Sequence, residues 1–342
     1  GSRGRAAALQ QPLRAAAPMD RPSQVALVRF GKATAATVVL GLFMALLPLG
    51  LAVMIPFFVL PAAYVVARAG LVQGAALAVI ATLLVTLVLG TSMGAIAFLM
   101  LLGVGVTLGV SLRRRWSLGR VVAATASGAT AALAAWGVML WQVWGVSLRA
   151  LRADAYASIE NAAALYRNMG VTGDTTEVVT GQMRQLVDIV PYLAPGLLGV
   201  GAILLGACTI GLAYLLFRRM KDRVEVALSL SSFRLHWSMA YVSIAGLAML
   251  VLSRGDGLWR DVLLFAGIDL LLVSQTLFFL QGLAVVRWFI LSRQVQPGAR
   301  AGLYVVSVLG QVFLQLTGLL GLFDTWLDCR KRFALKSPAQ GS

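Results

Sequence analysis

Residues 260–291 read "RDVLLFAGIDLLLVSQTLFFLQGLAVVRWFIL". Between Asp261 and Arg287 the single formal charge is Asp269. As a helix the run would be about 48 Å long at ~1.5 Å per residue, more than the ~30 Å hydrocarbon core of a bilayer. Its apolar residues fall on every face, so no single face marks a soluble core. A helix that is hydrophobic all round must be buried in a large core or in lipid.

The rest of the chain decides between those two. It is 342 residues long, 59% hydrophobic and 12% charged, with a mean hydropathy of +0.85. That leaves too little polar surface for a soluble domain. Further apolar segments read at 33–48, 52–67, 70–90, 93–112, 118–145, 192–217, 236–252 and 301–323. Lipid offers no hydrogen bonds to the backbone, so the chain must form helices or a closed barrel. Long continuous runs fit helices and not the alternation of a barrel. The expected fold is all-α, a polytopic transmembrane bundle of eight or nine segments. Pro48, Pro56 and Pro61 leave the first two segments as either two tilted helices or one crossing and a re-entrant piece.

Residues 1–30 read as a disordered basic tail with Met19 a candidate start, 31–333 as the membrane domain and 334–342 as a flexible tail. No signal peptide is expected, because the first apolar segment can direct insertion. Cys208 and Cys329 form no disulfide framework and read as free thiols.

The net charge is +16, from 29 cations and 13 acids. The cations flank apolar runs: Arg113–Arg115, then Arg218, Arg219, Lys221 and Arg223, then Arg330, Lys331 and Arg332. This is the positive-inside pattern of a membrane protein and not a nucleic-acid surface. It predicts a cytoplasmic N-terminus, marked by Arg29 and Lys32. The long loop 147–190 mixes Arg with Asp and Glu and reads as extracytoplasmic. Its apolar positions fall near helical spacing on either side of "NMGVTGDTTE". Two amphipathic helices are expected there, with Thr175 or Thr176 as N-cap of the second, forming a cap or a lid. The side of the C-terminus depends on 260–291. A single crossing places Arg293 and Arg300 inside and "RKR" outside; a broken one reverses this.

Polar residues within membrane segments are costly and each needs a reason. Asp269, Gln275 and Gln281 are the candidate ligand contacts, against the alternative of helix-to-helix hydrogen bonds. Asp269 and Arg287 share a face but lie about 27 Å apart, too far to pair. Gln311 and Gln315, four apart, read as glue between helices, and His236 beside Trp237 as an interfacial anchor. Ala33, Thr37, Gly41 and Ala45 form a small-residue stripe for close helix approach. P-loop, HExxH and Gly-x-Ser-x-Gly signatures are absent. Asp256-Gly257 and Gly321-x2-Asp324-x3-Asp328 echo the metal-reading motif of CDP-alcohol phosphotransferases. The spacing fails: Trp259 stands where Ala is needed, Gly321 is one residue too close, and the halves are over sixty residues apart. Two-metal chemistry needs those carboxylates together. No enzyme activity, cofactor or metal is expected.

The tail "GLFDTWLDCRKR" places Asp324 and Asp328 four apart, with Arg332 one turn beyond Asp328 as its ion-pair partner. It reads as an interfacial helix end anchored by Trp326, or as a docking motif built from Asp324, Asp328, Arg330 and Arg332.

Together with "QGLAVVRWFI" and the proline-rich "PFFVLPAAYVVARAG", this tail resembles the YybS-like family of bacterial membrane proteins, over residues 30 to 333. The resemblance implies a fold like the S-components of energy-coupling-factor vitamin transporters, which dock on a membrane partner through small residues on their first helix. Ala33, Thr37, Gly41 and Ala45 would be the counterpart. The expected function is small-solute, vitamin-like binding or transport, with the bilayer, a solute and an energising protein as partners. The alternative is a scaffold that binds a partner protein without transport, and a lipid phosphotransferase comes third.

Overall fold

The computed structural model describes residues 21–46, 51–169, 173–219, 230–255 and 259–335. The readings for 1–20, Lys221, Arg223, Asp256-Gly257 and 336–342 lie outside these residues. The described residues form helices joined by short connections, with no strand among them. In chain order they are α1 (Arg21–Leu46), α2 (Leu51–Ala69), α3 (Leu71–Leu89) and α4 (Thr91–Met100). A wider π-helical stretch, Leu101–Val106, joins α4 to α5 (Thr107–Arg113). Then come α6 (Leu118–Gln142), α7 (Leu148–Asn168), α8 (Gly173–Arg219), α9 (Met239–Leu252), α10 (Arg260–Ser292), α11 (Pro297–Leu314), α12 (Leu316–Leu327) and α13 (Cys329–Leu335). α1 starts at Arg21, so residues 21–30, expected in the tail, are helical.

Among the described residues six helices are long and apolar enough to cross a membrane: Leu71–Leu89, Thr91–Arg113, Leu118–Gln142, Thr176–Phe217, Arg260–Ser292 and Pro297–Leu314. Three shorter apolar helices, Met54–Ala69, Met239–Leu252 and Leu316–Leu327, pack among them. The breaks between α2, α3 and α4 fall on Gly70 and Gly90, at φ 112° and 88°. Glycine reaches those angles without the steric cost other residues meet. The π-helical stretch lies where Gly103 meets Gly128 of α6; a Cβ on either would collide with the other's carbonyl. Small residues let the two backbones touch there.

α8 and α10 run parallel. Tyr192 stacks on Phe265 with ring centroids 4.7 Å apart, Gly196 meets Asp269 and Gly199 meets Val273. α9 runs antiparallel to α10, since Ser243 bonds Ser274 at 2.8 Å and Gly246 packs on Gly267 and Leu271. The C-terminal ends of α8 and α10 therefore share one side with the start of α9.

Two further expectations are corrected. The second amphipathic helix of the 147–190 loop is not separate: it is the beginning of α8, a 47-residue helix that continues through Pro191 and Pro195. It starts at Gly173, so Thr175 and Thr176 lie inside it and neither is the N-cap. By the α8–α10 register Arg260 stands opposite Val187, so residues 173–186 project past α10 as an arm. α7, capped by Ser147, which accepts from the Ala150 N–H at 3.1 Å, packs along this arm. Tyr156 donates to Asp188 at 2.7 Å and Arg184 pairs with Glu160.

The second correction concerns 301–323, expected as one segment. It breaks at Gln315, which is left-handed at φ 52° and ψ 22°. α11 and α12 thus form a helical hairpin, closed by Thr317 Oγ1 donating to the Ser307 carbonyl at 2.6 Å. α10 is one unbroken helix of 33 residues. The chain turns back after α10 and not within it.

Candidate functional site

Residues 233–236 are non-helical, yet they lie against the middle of α10 and not beyond its end. Phe233 is buried. Buried backbone outside a helix is tolerated only where its polar groups find partners. Here two side chains from distant elements do so, and a third, Asp324, holds both of them.

Arg330 of α13 donates from Nη1 to the Ser231 carbonyl at 2.7 Å and from Nη2 to the Phe233 carbonyl at 2.9 Å. The Leu235 N–H donates to Gln281 Oε1 of α10 at 2.9 Å. Gln281 Nε2 donates to Asp324 Oδ2 of α12 at 2.7 Å, and Arg330 Nη2 meets the same oxygen at 2.7 Å. The side chains of Arg330 and Asp324 are 3% and 2% exposed. The planar guanidinium bridges two carbonyls and a carboxylate, which a lysine ammonium could not match in geometry. The network ties the α8–α9 connection to α10, α12 and the C-terminal helix.

α12 approaches closely enough because glycines line the contact. A Cβ at Gly282 would strike the Thr317 carbonyl, and one at Gly321 the Phe278 carbonyl. Asp328 ends α12 in the left-handed conformation, φ 43° and ψ 56°, and turns the chain so that Arg330 points back. Its carboxylate accepts from Lys331 at 2.8 Å and Arg234 at 3.1 Å. The Lys331 hydrogen bond, with Arg234 adding, holds this carboxyl below the usual carboxylate range.

The sequence places Asp324 and Asp328 on one helix face, with Arg332 pairing Asp328. The left-handed turn separates them: Asp324 is inside, Asp328 is at the rim, and Lys331 takes the pairing. Arg332 is exposed. Gln281, read as a ligand contact, spends both ends of its amide in the network.

The remaining candidates on α10 differ. Asp269 lies against the Gly196 backbone of α8, and its Oδ1 is buried without a side-chain hydrogen-bond partner. Gln275 packs on Gly318 of α12, and its Nε2 is likewise unpartnered. The two sit at different helix interfaces. Gln311 Oε1 accepts from the Gly318 N–H at 2.7 Å, so it closes the hairpin, while Gln315 is the break itself and shares no helix face with it. His236 is exposed, with Nδ1 2.8 Å from Ser238 Oγ and its ring on Trp237.

On α1, Thr37 is buried. A Cβ at Gly41 would lie 3.1 Å from Val85 Cγ2 and 3.2 Å from Phe58 Cε2. Ala33 packs on the same core cluster. The stripe is therefore occupied by α2 and α3 of the same chain, while the surroundings of Ala45 lie outside the described side chains. Among the described residues no group of three His, Cys, Asp or Glu could hold a metal. Cys208 and Cys329 are free.

Residues 35–325 match the family of predicted membrane proteins DUF2232. The chain belongs to this family. No curated protein and no solved structure matches it. The DUF2232 match runs from within α1 to Thr325, so Gln281 and Asp324 fall inside it and Arg330 just beyond. The family description agrees with the six long apolar helices.

Sequence reasoning names Asp324 and Arg330 but not their partnership with Gln281. A signal is present: Gly321 with Asp324 three residues on, opposite a segment with Gly282 beside Gln281. It becomes readable only once α10 and α12 are known to touch.

Proposed function

We propose that this protein binds a small solute inside the membrane at the α8–α10 interface, with Asp269 as the polar contact. One observation carries this: a carboxylate oxygen buried between two long apolar helices, with no side-chain hydrogen-bond partner. The α8 backbone beside it supports the reading. Pro195 has no N–H, so the carbonyl of Pro191 has no i+4 donor. Carboxylate and carbonyl accept and do not donate, which suits a solute with a cationic or hydrogen-bond-donating group. The S-component-like fold implied by the sequence's resemblance to the YybS-like family favours transport, energised by a separate protein. The test is thermal stabilisation of the purified protein by a library of amine-bearing and vitamin-like solutes. A stabilising solute should lose its effect in Asp269→Asn and keep it in Asp328→Asn. A broad library that stabilises neither protein sinks the proposal.

A scaffold role is the second reading. It is favoured by the α7–α8 arm, which exposes Leu151, Leu165, Val178 and Leu186.

The orientation is proposed with the basic side in the bacterial cytoplasm. Arg29, Arg68, Arg113–Arg115, Arg234 and Arg330–Arg332 gather on that side, while the arm interleaves Arg with Asp and Glu. Both Arg293–Arg300 and "RKR" then face the cytoplasm. In a Cys208→Ser background, Cys329 should react with a membrane-impermeant maleimide in inverted vesicles and not in intact cells. The opposite labelling reverses the orientation.

A further inference from the structure

Residues 148–188 carry four Arg and five Asp or Glu, too many charges for lipid, so the arm built from α7 and the start of α8 stands in water. Its paired charges keep to one edge of the seam between the two helices. Arg152 and Tyr156 reach Asp188 there, and Arg184 pairs with Glu160. The other edge is a groove of about 260 Å³. Ile159, Ala162 and Tyr166 line it from α7, and Val179 and Met183 from α8, at helical spacing on both walls. Among the described residues no charged side chain lines it. Tyr166, Val179 and Met183 are still 51%, 43% and 49% exposed, and Leu186 extends the face at 58%.

These six side chains leave roughly 500 Å² of largely apolar surface in water, which marks an interaction site. The occupant follows from the shape of the arm. α8 is one helix through Pro191 and Pro195, so the arm continues the bundle and the groove looks sideways, not down onto lipid. A second copy in the same membrane meets it at that height by a two-fold rotation about the membrane normal. The rotation sets α7 antiparallel to the α8 of the other copy, in the register the two helices hold within one chain, which is the arrangement of a four-helix bundle. Small Ala162 then stands level with the partner's Met183. The face carries no charge, so it meets itself without repulsion, whereas the edge bearing Glu160 and Arg184 stays in water. Two such faces bury about 1,000 Å², the area a specific interface needs.

We infer that the apolar face of the arm pairs with the same face of a second copy of this chain, forming a four-helix bundle outside the membrane. This pairing differs from the scaffold reading, whose partner is a different protein, and it is independent of Asp269.

Full-length protein in mild detergent is diluted and weighed by mass photometry, which should show a dimer that dissociates with concentration. Ala162→Glu and Ala162→Lys should each weaken the dimer about a hundred-fold, because like charges meet across the face. Mixing the two variants should restore a mixed dimer. Ala162 is exposed in one copy, so an unchanged helical circular dichroism separates lost pairing from lost folding. Gln185→Glu, exposed on the far side of α8, should leave the dimer as it is. In a Cys208→Ser, Cys329→Ser background, a short bismaleimide should join two copies at Ala162→Cys and not at Gln185→Cys. A wild-type protein that is monomeric at every concentration overturns the inference. So does a dimer that Ala162→Glu leaves intact, which would place the interface on another face. Quenching of a fluorophore at Met183→Cys by brominated lipid would assign the face to the bilayer and overturn it. Cross-linking of Ala162→Cys in cells to a different protein alone would do the same.

Discussion

Arg330→Gln is expected to destabilise the protein by about 3–5 kcal/mol, the usual cost of leaving a buried charge without its partner. Asp324, 2% exposed, would keep only the Gln281 amide, and the Ser231 and Phe233 carbonyls would lose their donors. Arg330→Lys keeps the charge but not the fork, so it should fall between wild type and Arg330→Gln. Asp324→Leu combined with Arg330→Met removes both charges together. It should recover part of the loss, but not all, because the two carbonyls stay unsatisfied. Asp328→Asn is the contrast: its pairs are at the rim, and the expected change is within about 1 kcal/mol. Reversible unfolding in mixed micelles reads all four variants. If Arg330→Gln lies within about 1 kcal/mol of wild type, the pair behaves as an exposed one and the connection 231–235 is held by other means.

How much of this is legible in the sequence depends on which residues carry the signal. Hydropathy and run length are local, so the membrane class and the positions of α3, α6, α9 and α10 can be read directly. The break at Gln315 cannot, because a glutamine in the left-handed region is uncommon and nothing in its neighbours announces it. The loop end expected at 190 differs from the structure for the opposite reason. Pro191 and Pro195 look like boundaries, but each removes one hydrogen bond, and α6, α7 and α10 hold α8 together across them. Arg330 is the sharpest case. In "RKR" it looks like its neighbours, three solvated cations at a helix end. What sets it apart is a carbonyl 97 residues earlier in the chain. The carboxylate of Asp269 is foreseeable as a costly group, but not the glycine of α8 that it meets. Ala33, Thr37 and Gly41 are legible as a contact face, whereas the identity of the contacting helices is a property of the whole bundle.

Gly321→Val should be as damaging as Arg330→Gln, for a reason that links the two. A Cβ at 321 would collide with the Phe278 carbonyl, which is backbone inside a helix and cannot step aside as a side chain would. α12 must therefore move away from α10 and carry Asp324 out of reach of Gln281. The expected cost is about 3 kcal/mol, at the top of the ~1–3 kcal/mol range for overpacking. Once α12 has moved, the Asp324–Arg330–Gln281 network is already broken, so removing Arg330 should cost less than it does alone. The double variant should then be more stable than the sum of the single losses predicts, by about 1–3 kcal/mol. Gly298→Val, where a Cβ meets nothing within 4 Å, is the control and should add to Arg330→Gln without coupling. Strict additivity of Gly321→Val and Arg330→Gln would mean that helix contact and ion pair act independently. The role of the glycines in delivering Asp324 to its partners would then be wrong.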